Sequence, residues 1–162
     1  MILLDEMEAV DFLRNLGQGN LRRVATRARL QDCPEGTVLF HEGADSPSLY
    51  FVLRGKVALE VTEPGRGPVP VYTAGPGDLL GWSPVLGRRA MTATGRAATD
   101  CRLAALDAGE IAALCEDDPA FAAAFLRQTA LVLSDRLRAT RRLLARALQH
   151  RPLAELVGES SD

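Results

Sequence analysis

The sequence predicts a mainly β fold, an antiparallel jelly-roll sandwich or barrel with flanking helices, followed by one long C-terminal helix. Three observations predict it. From Arg29 to Leu106 the apolar residues alternate with period two, and glycine or proline punctuates the chain at roughly eight- to twelve-residue intervals. Before that segment the apolar spacing is helical, and after it two helix-start signals follow in quick succession. At 162 residues the chain supports one domain with a real core plus one long helix. The expected organisation is N-terminal helices over 1–27, the β segment over 28–107, C-terminal helices over 108–149 and a tail over 150–162.

Asp5 to Leu16 and Leu21 to Arg27 read as short helices. Val10, Leu13 and Leu16 share one face, and Asp5, Glu6 and Glu8 lie near the positive helix start. The strand candidates are Arg29–Asp32, Val38–His41, Leu49–Leu53, Val57–Thr62, Val69–Ala74, Leu79–Leu80, Met91–Ala97 and Arg102–Leu106. Eight short strands suit a jelly-roll layout. Glu63 to Pro70, EPGRGPVP, is too rich in proline and glycine for a central strand and is expected as an exposed hairpin tip.

Asp107 followed by Glu110 gives an N-cap with an acid at the third helical position, opening a short helix to about Cys115. Asp118 caps the next helix, and Pro119 suits its first position because the missing N–H would be unpaired there anyway. That helix is expected to run to about Leu148, near 45 Å at about 1.5 Å per residue. Leu126, Ala130, Leu133, Leu137, Thr140, Leu144 and Ala147 recur along it at intervals of four and three, the spacing of a coiled-coil seam. Its later turns extend beyond what one small domain covers, so the stripe predicts a homodimer through this helix. Arg127, Arg136, Arg138, Arg141, Arg142, Arg146 and Arg151, against the single acid Asp135, read as a solvated basic face.

A net charge of −2 and 47% hydrophobic content exclude a globally basic nucleic-acid binder and a disordered chain. Cys33, Cys101 and Cys115 are odd in number and widely spaced, with no C-x-x-C pair, which points to reduced thiols and a cytoplasmic setting. The N-terminus carries acids where a signal peptide carries bases, and no apolar run approaches a membrane span.

Gly77 to Ala97, GDLLGWSPVLGRRAMTATGRA, is the most informative stretch: a turn, a short apolar strand, an irregular Gly/Pro/Arg loop suited to receive an anion, and a second strand. Upstream, Gly36 to Val61 forms alternating strand pairs broken at Glu42–Asp45 and at Arg54–Gly55. Over Leu13 to Leu148 this pattern resembles the cyclic-nucleotide-binding domain family, the catabolite activator protein-like, or Crp/Fnr-like, effector β-roll (a double-stranded β-helix). Gly36, Gly43, Gly55, Gly77, Asp78, Gly81, Ala93–Thr94 and Arg96–Ala97 fall at family positions. The resemblance implies a non-enzymatic regulatory or signalling module that dimerises through its long helix.

In that family the phosphate-binding cassette has a glutamate for the ribose hydroxyl and an arginine for the cyclic phosphate. Laid over this chain without a gap, the glutamate position is Trp82, the neighbouring proline position is Ala90, and the arginine position is Met91. Removing one half of a buried ionic pair costs roughly 3–5 kcal/mol. Replacing both ligand-holding side chains weakens binding by on the order of three to six decades. Affinity for cAMP or cGMP is therefore expected to be weak or absent. Arg88 and Arg89, three and two residues before the missing arginine, offer a substitute fork donor or are solvated loop charges. Trp82 either stacks on a ligand or fills the cavity itself. The candidate ligand-binding set is Gly81, Trp82, Ser83, Arg88, Arg89, Met91, Thr92 and Ala93.

Twelve residues follow His150, too few for the helix-turn-helix domain of the family's transcription regulators, so no direct DNA binding is expected. Only His41 and His150 are available against the clustered histidines a metal-dependent cupin needs. Ser46, Ser48 and Ser83 have no base nearby in sequence, and no nucleophile elbow, Walker loop or zinc-protease motif occurs. Three readings result: a regulatory module with a degenerate cassette, a ligand-free scaffold for a regulatory protein partner, and a sensor of a different small molecule.

Overall fold

The computed structural model describes residues 2–88 and 90–149. Arg89 and the expected tail over 150–162, with His150 and Arg151, lie outside them. Helices α1 (Ile2–Glu8), α2 (Asp11–Arg14) and α3 (Gln18–Ala25) precede the strands β1 (Arg29–Cys33), β2 (Val38–Phe40), β3 (Ser48–Arg54), β4 (Val57–Glu63), β5 (Gly67–Ala74), β6 (Leu79–Leu80), β7 (Thr94–Ala97) and β8 (Cys101–Asp107). Helices α4 (Ala108–Asp117) and α5 (Pro119–Leu148) complete the order.

The strands form two four-stranded antiparallel sheets, ordered β1-β8-β3-β6 and β2-β7-β4-β5. Between them lies a core that includes Phe40, Tyr50, Val52, Leu59, Leu80, Met91, Leu103 and Ala105. The helices cover the outer face of the first sheet with a second core, in which Leu49, Phe51, Leu79, Ala104 and Leu106 meet Leu13, Leu21, Ile111, Phe121 and Phe125. Successive residues of β3, β6 and β8 therefore serve opposite cores, as period-two geometry requires. A sheet buried on both faces reads as a continuous apolar run, which explains why SLYFVLR and CRLAALD alternate so weakly in hydrophobicity.

Aromatic edges lock helices to sheet. The Phe12 ring meets Phe51 at 5.0 Å and Phe125 at 5.1 Å, both edge-on, and Phe121 stacks on Phe125 at 5.6 Å. The two C-terminal helix starts form as expected. The Asp107 carboxylate accepts from the Glu110 N–H at 2.9 Å, and that of Asp118 accepts from Ala120 and Phe121 at 3.0 and 3.1 Å. Arg23 of α3 donates to Asp118 at 2.7 Å, joining the N-terminal helices to the start of α5 and holding that carboxyl below the usual aspartate range.

Three expectations need correction. The single helix expected over Asp5–Leu16 is two, broken where the Val10 N–H bonds back to the Met7 carbonyl. The hairpin tip is shorter than Glu63–Pro70, because Gly67 to Pro70 join β5 opposite Glu63 to Glu60. β5 is an edge strand, where a proline loses no ladder hydrogen bond. Met91–Ala93 stand outside β7, and Met91 is bonded instead to the 43–44 turn, with Ala90 bridging to Asp45. Cys33 and Cys101, distant in sequence, are partners in the β1–β8 register, and both are free thiols as expected.

Phe125 is fully buried at the meeting of α2, α5 and β3. Phe125→Ala is expected to cost about 3–5 kcal/mol, seen in urea unfolding as a lowered midpoint at unchanged slope.

Candidate ligand site in the roll

The site begins at the turn into β6. The Gly77 N–H donates to the Val52 carbonyl at 2.8 Å and the Val52 N–H to the Asp78 carbonyl at 3.0 Å, while the Asp78 carboxylate accepts from the Gly75 N–H at 2.9 Å and from the Tyr72 hydroxyl at 3.4 Å. After β6, Gly81 has φ of +75°, and a Cβ there would lie 2.8 Å from the Ser48 carbonyl oxygen. Only glycine allows this approach without displacement. The chain then closes compact turns, with Val85 donating to Trp82 at 3.0 Å, Gly87 to Pro84 at 3.1 Å and Arg88 to Ser83 at 2.9 Å. It returns through Met91, whose carbonyl accepts from Gly43 at 2.7 Å and whose N–H donates to Ala44 at 2.9 Å.

A cavity of ≈30 Å³ remains between Phe40 of β2, Leu59 of β4, Leu80 of β6, the Gly81–Ser83 turn, Met91–Ala93, and Arg136 of α5. Six of the eight expected site residues, Gly81, Trp82, Ser83, Met91, Thr92 and Ala93, are brought together here. The Met91 side chain is buried in the inter-sheet core. Arg88 is exposed and does not line the cavity, and Arg89 lies outside the described residues. A space of this size admits about one or two waters.

Arg136 is the residue that sequence reasoning misplaced. Counted there in a solvated basic face, it is 8% exposed. Its guanidinium carbon lies over the Trp82 ring, 4.2 Å from the centroid, and over the Tyr72 ring at 4.9 Å. Nη2 donates to the Leu79 carbonyl, while Nε and Nη1 are buried without a hydrogen-bond partner. Burial pushes the guanidinium below its ordinary pKa, opposed by Tyr72 and Asp78. The group remains charged, since arginine does not deprotonate in proteins. A signal for it existed: the buried positions of α5 are Phe121, Phe125, Thr129 and Arg136, and steps of four, four and seven place Arg136 on the same inward face.

The seam residues fall elsewhere. Leu126, Ala130, Leu137, Thr140, Leu144 and Ala147 of the stripe are exposed, and Leu133 is half-buried. The stripe is therefore not consumed by packing on the chain's own roll. Among the described residues no group of three or more His, Cys, Asp or Glu could hold a metal ion, and no helix is long and apolar enough to cross a membrane. A wider open groove of ≈320 Å³, lined by Asp32, Cys33, Pro34, Arg54, Asp100 and Cys101, shares no residue with the roll cavity.

Burial raises the pKa of both tyrosines, Tyr50 in the roll interior and Tyr72 beside Arg136. The folded state then holds those protons more tightly than the unfolded chain, so their contribution to stability is full below the unfolded tyrosine pKa and lost as pH rises through the raised folded values. Spectrophotometric titration is expected to show both phenols ionising later than free tyrosine, with unfolding made easier across the same alkaline window.

The family model described as "Cyclic nucleotide-binding domain" matches residues 30–118. The chain is 28% identical over 123 residues to a cyclic nucleotide-gated potassium channel of Mesorhizobium japonicum, an alignment covering 76% of this chain and 32% of the channel. It thus spans about a third of that relative's length. Among solved structures, the N-terminal domain of a transcriptional regulator from Streptomyces coelicolor superposes with a TM-score of 0.64 at 30% identity, covering 79% of this chain and 89% of that one. A cyclic nucleotide-binding domain from Methylobacillus flagellatus superposes with a TM-score of 0.75 at 19% identity, covering 89% and 82%. The matched segment spans β1 through α4 and contains the whole cassette from Gly77 to Ala97, and on that match the chain belongs to the cyclic nucleotide-binding domain family.

Proposed function

We propose that the chain is a non-enzymatic, cytoplasmic regulatory module whose divergent cassette binds cAMP and cGMP weakly or not at all. The observation that carries this reading is the ≈30 Å³ cavity walled by Trp82 and Met91, against the several hundred Å³ typical of small-molecule sites. Met91 stands where the family's phosphate-binding arginine is expected, and its backbone is pinned at both ends to the 43–44 turn. Trp82 stands at the glutamate position and walls the cavity with a guanidinium over its ring, which supports reading the indole as a filler of the space a ligand would use.

The same interactions supply a route for regulation. Arg136 ties α5 to the β6 carbonyl and to Trp82. An event that moves the Gly81–Met91 loop changes what holds the long helix against the roll, and a ligand or partner shifts that equilibrium only by binding the two arrangements unequally. As partner we propose a second copy of the chain, meeting along the exposed stripe on α5. That pairing is supported by Leu126, Leu137 and Leu144, which are 41%, 51% and 47% exposed at positions of the heptad pattern. The arginine face of α5 beyond Arg136 stays exposed for an acidic regulatory protein rather than for DNA.

Trp82 is the single tryptophan, so its fluorescence reports on the cavity directly. Titration with cAMP and with cGMP is expected to be flat through the micromolar range, with blue-shifted emission. A saturable change, repeated by calorimetry, would overturn the reading. For the assembly, sedimentation equilibrium is expected to give a dimer for the parent chain and a monomer for Leu137→Glu. A monomeric parent would remove the proposed interface.

A further inference from the structure

We propose that Arg136 is the anion-receiving group of the roll cavity, and that the cavity takes a small organic oxyanion, a carboxylate or phosphate monoester on an apolar body. This rests on the reading of the cavity as one no longer shaped for a cyclic nucleotide. It adds a donor from α5, outside the cassette.

A guanidinium withdrawn from water requires a counter-charge or a full set of hydrogen bonds. Among the described residues Arg136 makes no close ion pair and its hydrogen bonds are incomplete, with electrostatic support only from Tyr72 and Asp78. Asp78 acts on it through charge without a direct hydrogen bond, its carboxylate accepting instead from the Gly75 N–H and the Tyr72 hydroxyl. Of the three guanidinium nitrogens, Nη2 alone has an acceptor. Nη2 carries two N–H groups, one parallel to Nε–H and one parallel to an Nη1–H. Leu79 takes one, so one complete parallel pair stays open, the fork that matches a carboxylate or phosphate.

The surroundings direct the anion to that fork. Trp82 and Tyr72 cover the guanidinium carbon, leaving in-plane donors for hydrogen bonding. Ser83 and Thr92 add hydroxyls to the cavity wall, and Phe40, Leu59, Leu80 and Met91 supply an apolar lining for the body of the ligand. The ≈30 Å³ space is too small for such a molecule as it stands. Entry therefore displaces the Trp82 turn, and binding and indole movement are one event.

The test follows Trp82 fluorescence and melting temperature at constant ionic strength while benzoate and phenyl phosphate are added, with inorganic phosphate as control. The parent chain is expected to saturate with at least one of the two organic anions and to melt higher in its presence. Arg136→Met, which keeps the length and drops the charge, is expected to fold and to weaken that binding by roughly thirtyfold or more. Arg136→Lys, which keeps the charge without the planar fork, is expected to fold and to bind about tenfold more weakly than the parent. Silence of the parent towards both organic anions, a response confined to inorganic phosphate, or undiminished affinity in Arg136→Met or Arg136→Lys overturns the proposal. A cAMP response in the same assay overturns only the nucleotide reading, and the oxyanion titration decides Arg136.

Discussion

The sheet β1-β8-β3-β6 is the constraint on which the molecule depends, because its two faces serve the two cores. Phe51 and Leu79 face the helices, while Tyr50 and Leu80 face the roll. Neighbouring residues of a single strand thus contact the helices on one side and the roll interior on the other. β6 is the narrowest point of this arrangement, two residues long, with Leu79 packed under the helices, its carbonyl bonded to Arg136, and Leu80 lining the cavity.

Much of the architecture was legible because local chemistry and tertiary packing agree. Asp107 and Asp118 are caps in sequence and caps in space, and α5 ends where helical periodicity ends. The two-residue strand Leu79–Leu80 was visible because glycines bound it on both sides. The break in the N-terminal helix was not visible, since Val10 continues the apolar spacing and only a local change in hydrogen-bond pattern marks it. The strand status of Pro68 and Pro70 depends on β5 having a neighbour on one side only, which is a property of sheet order rather than of residues 63–70.

At the site, the residues contiguous in sequence were found and the remote one was assigned to the wrong surface. Gly81 to Ser83 and Met91 to Ala93 converge because short hydrogen-bonded turns bring the loop back to the roll. Arg136 arrives from a helix whose polar faces carry many other arginines, and composition alone gives no reason to single it out. What distinguishes it is its angular position, in line with Phe121 and Phe125, and a charge at the end of an apolar row is the departure from pattern that marks a functional or strained position.

The edge strand β5 bears on how copies of this chain can meet. With Pro68 and Pro70 both exposed along it, that border of the roll offers a broken set of donors to any incoming strand. Sheet-to-sheet growth along this border, the usual hazard of an open β edge, is blocked by covalent structure rather than by charge. A second strand arriving at this border therefore finds no regular ladder of donors with which to extend the sheet.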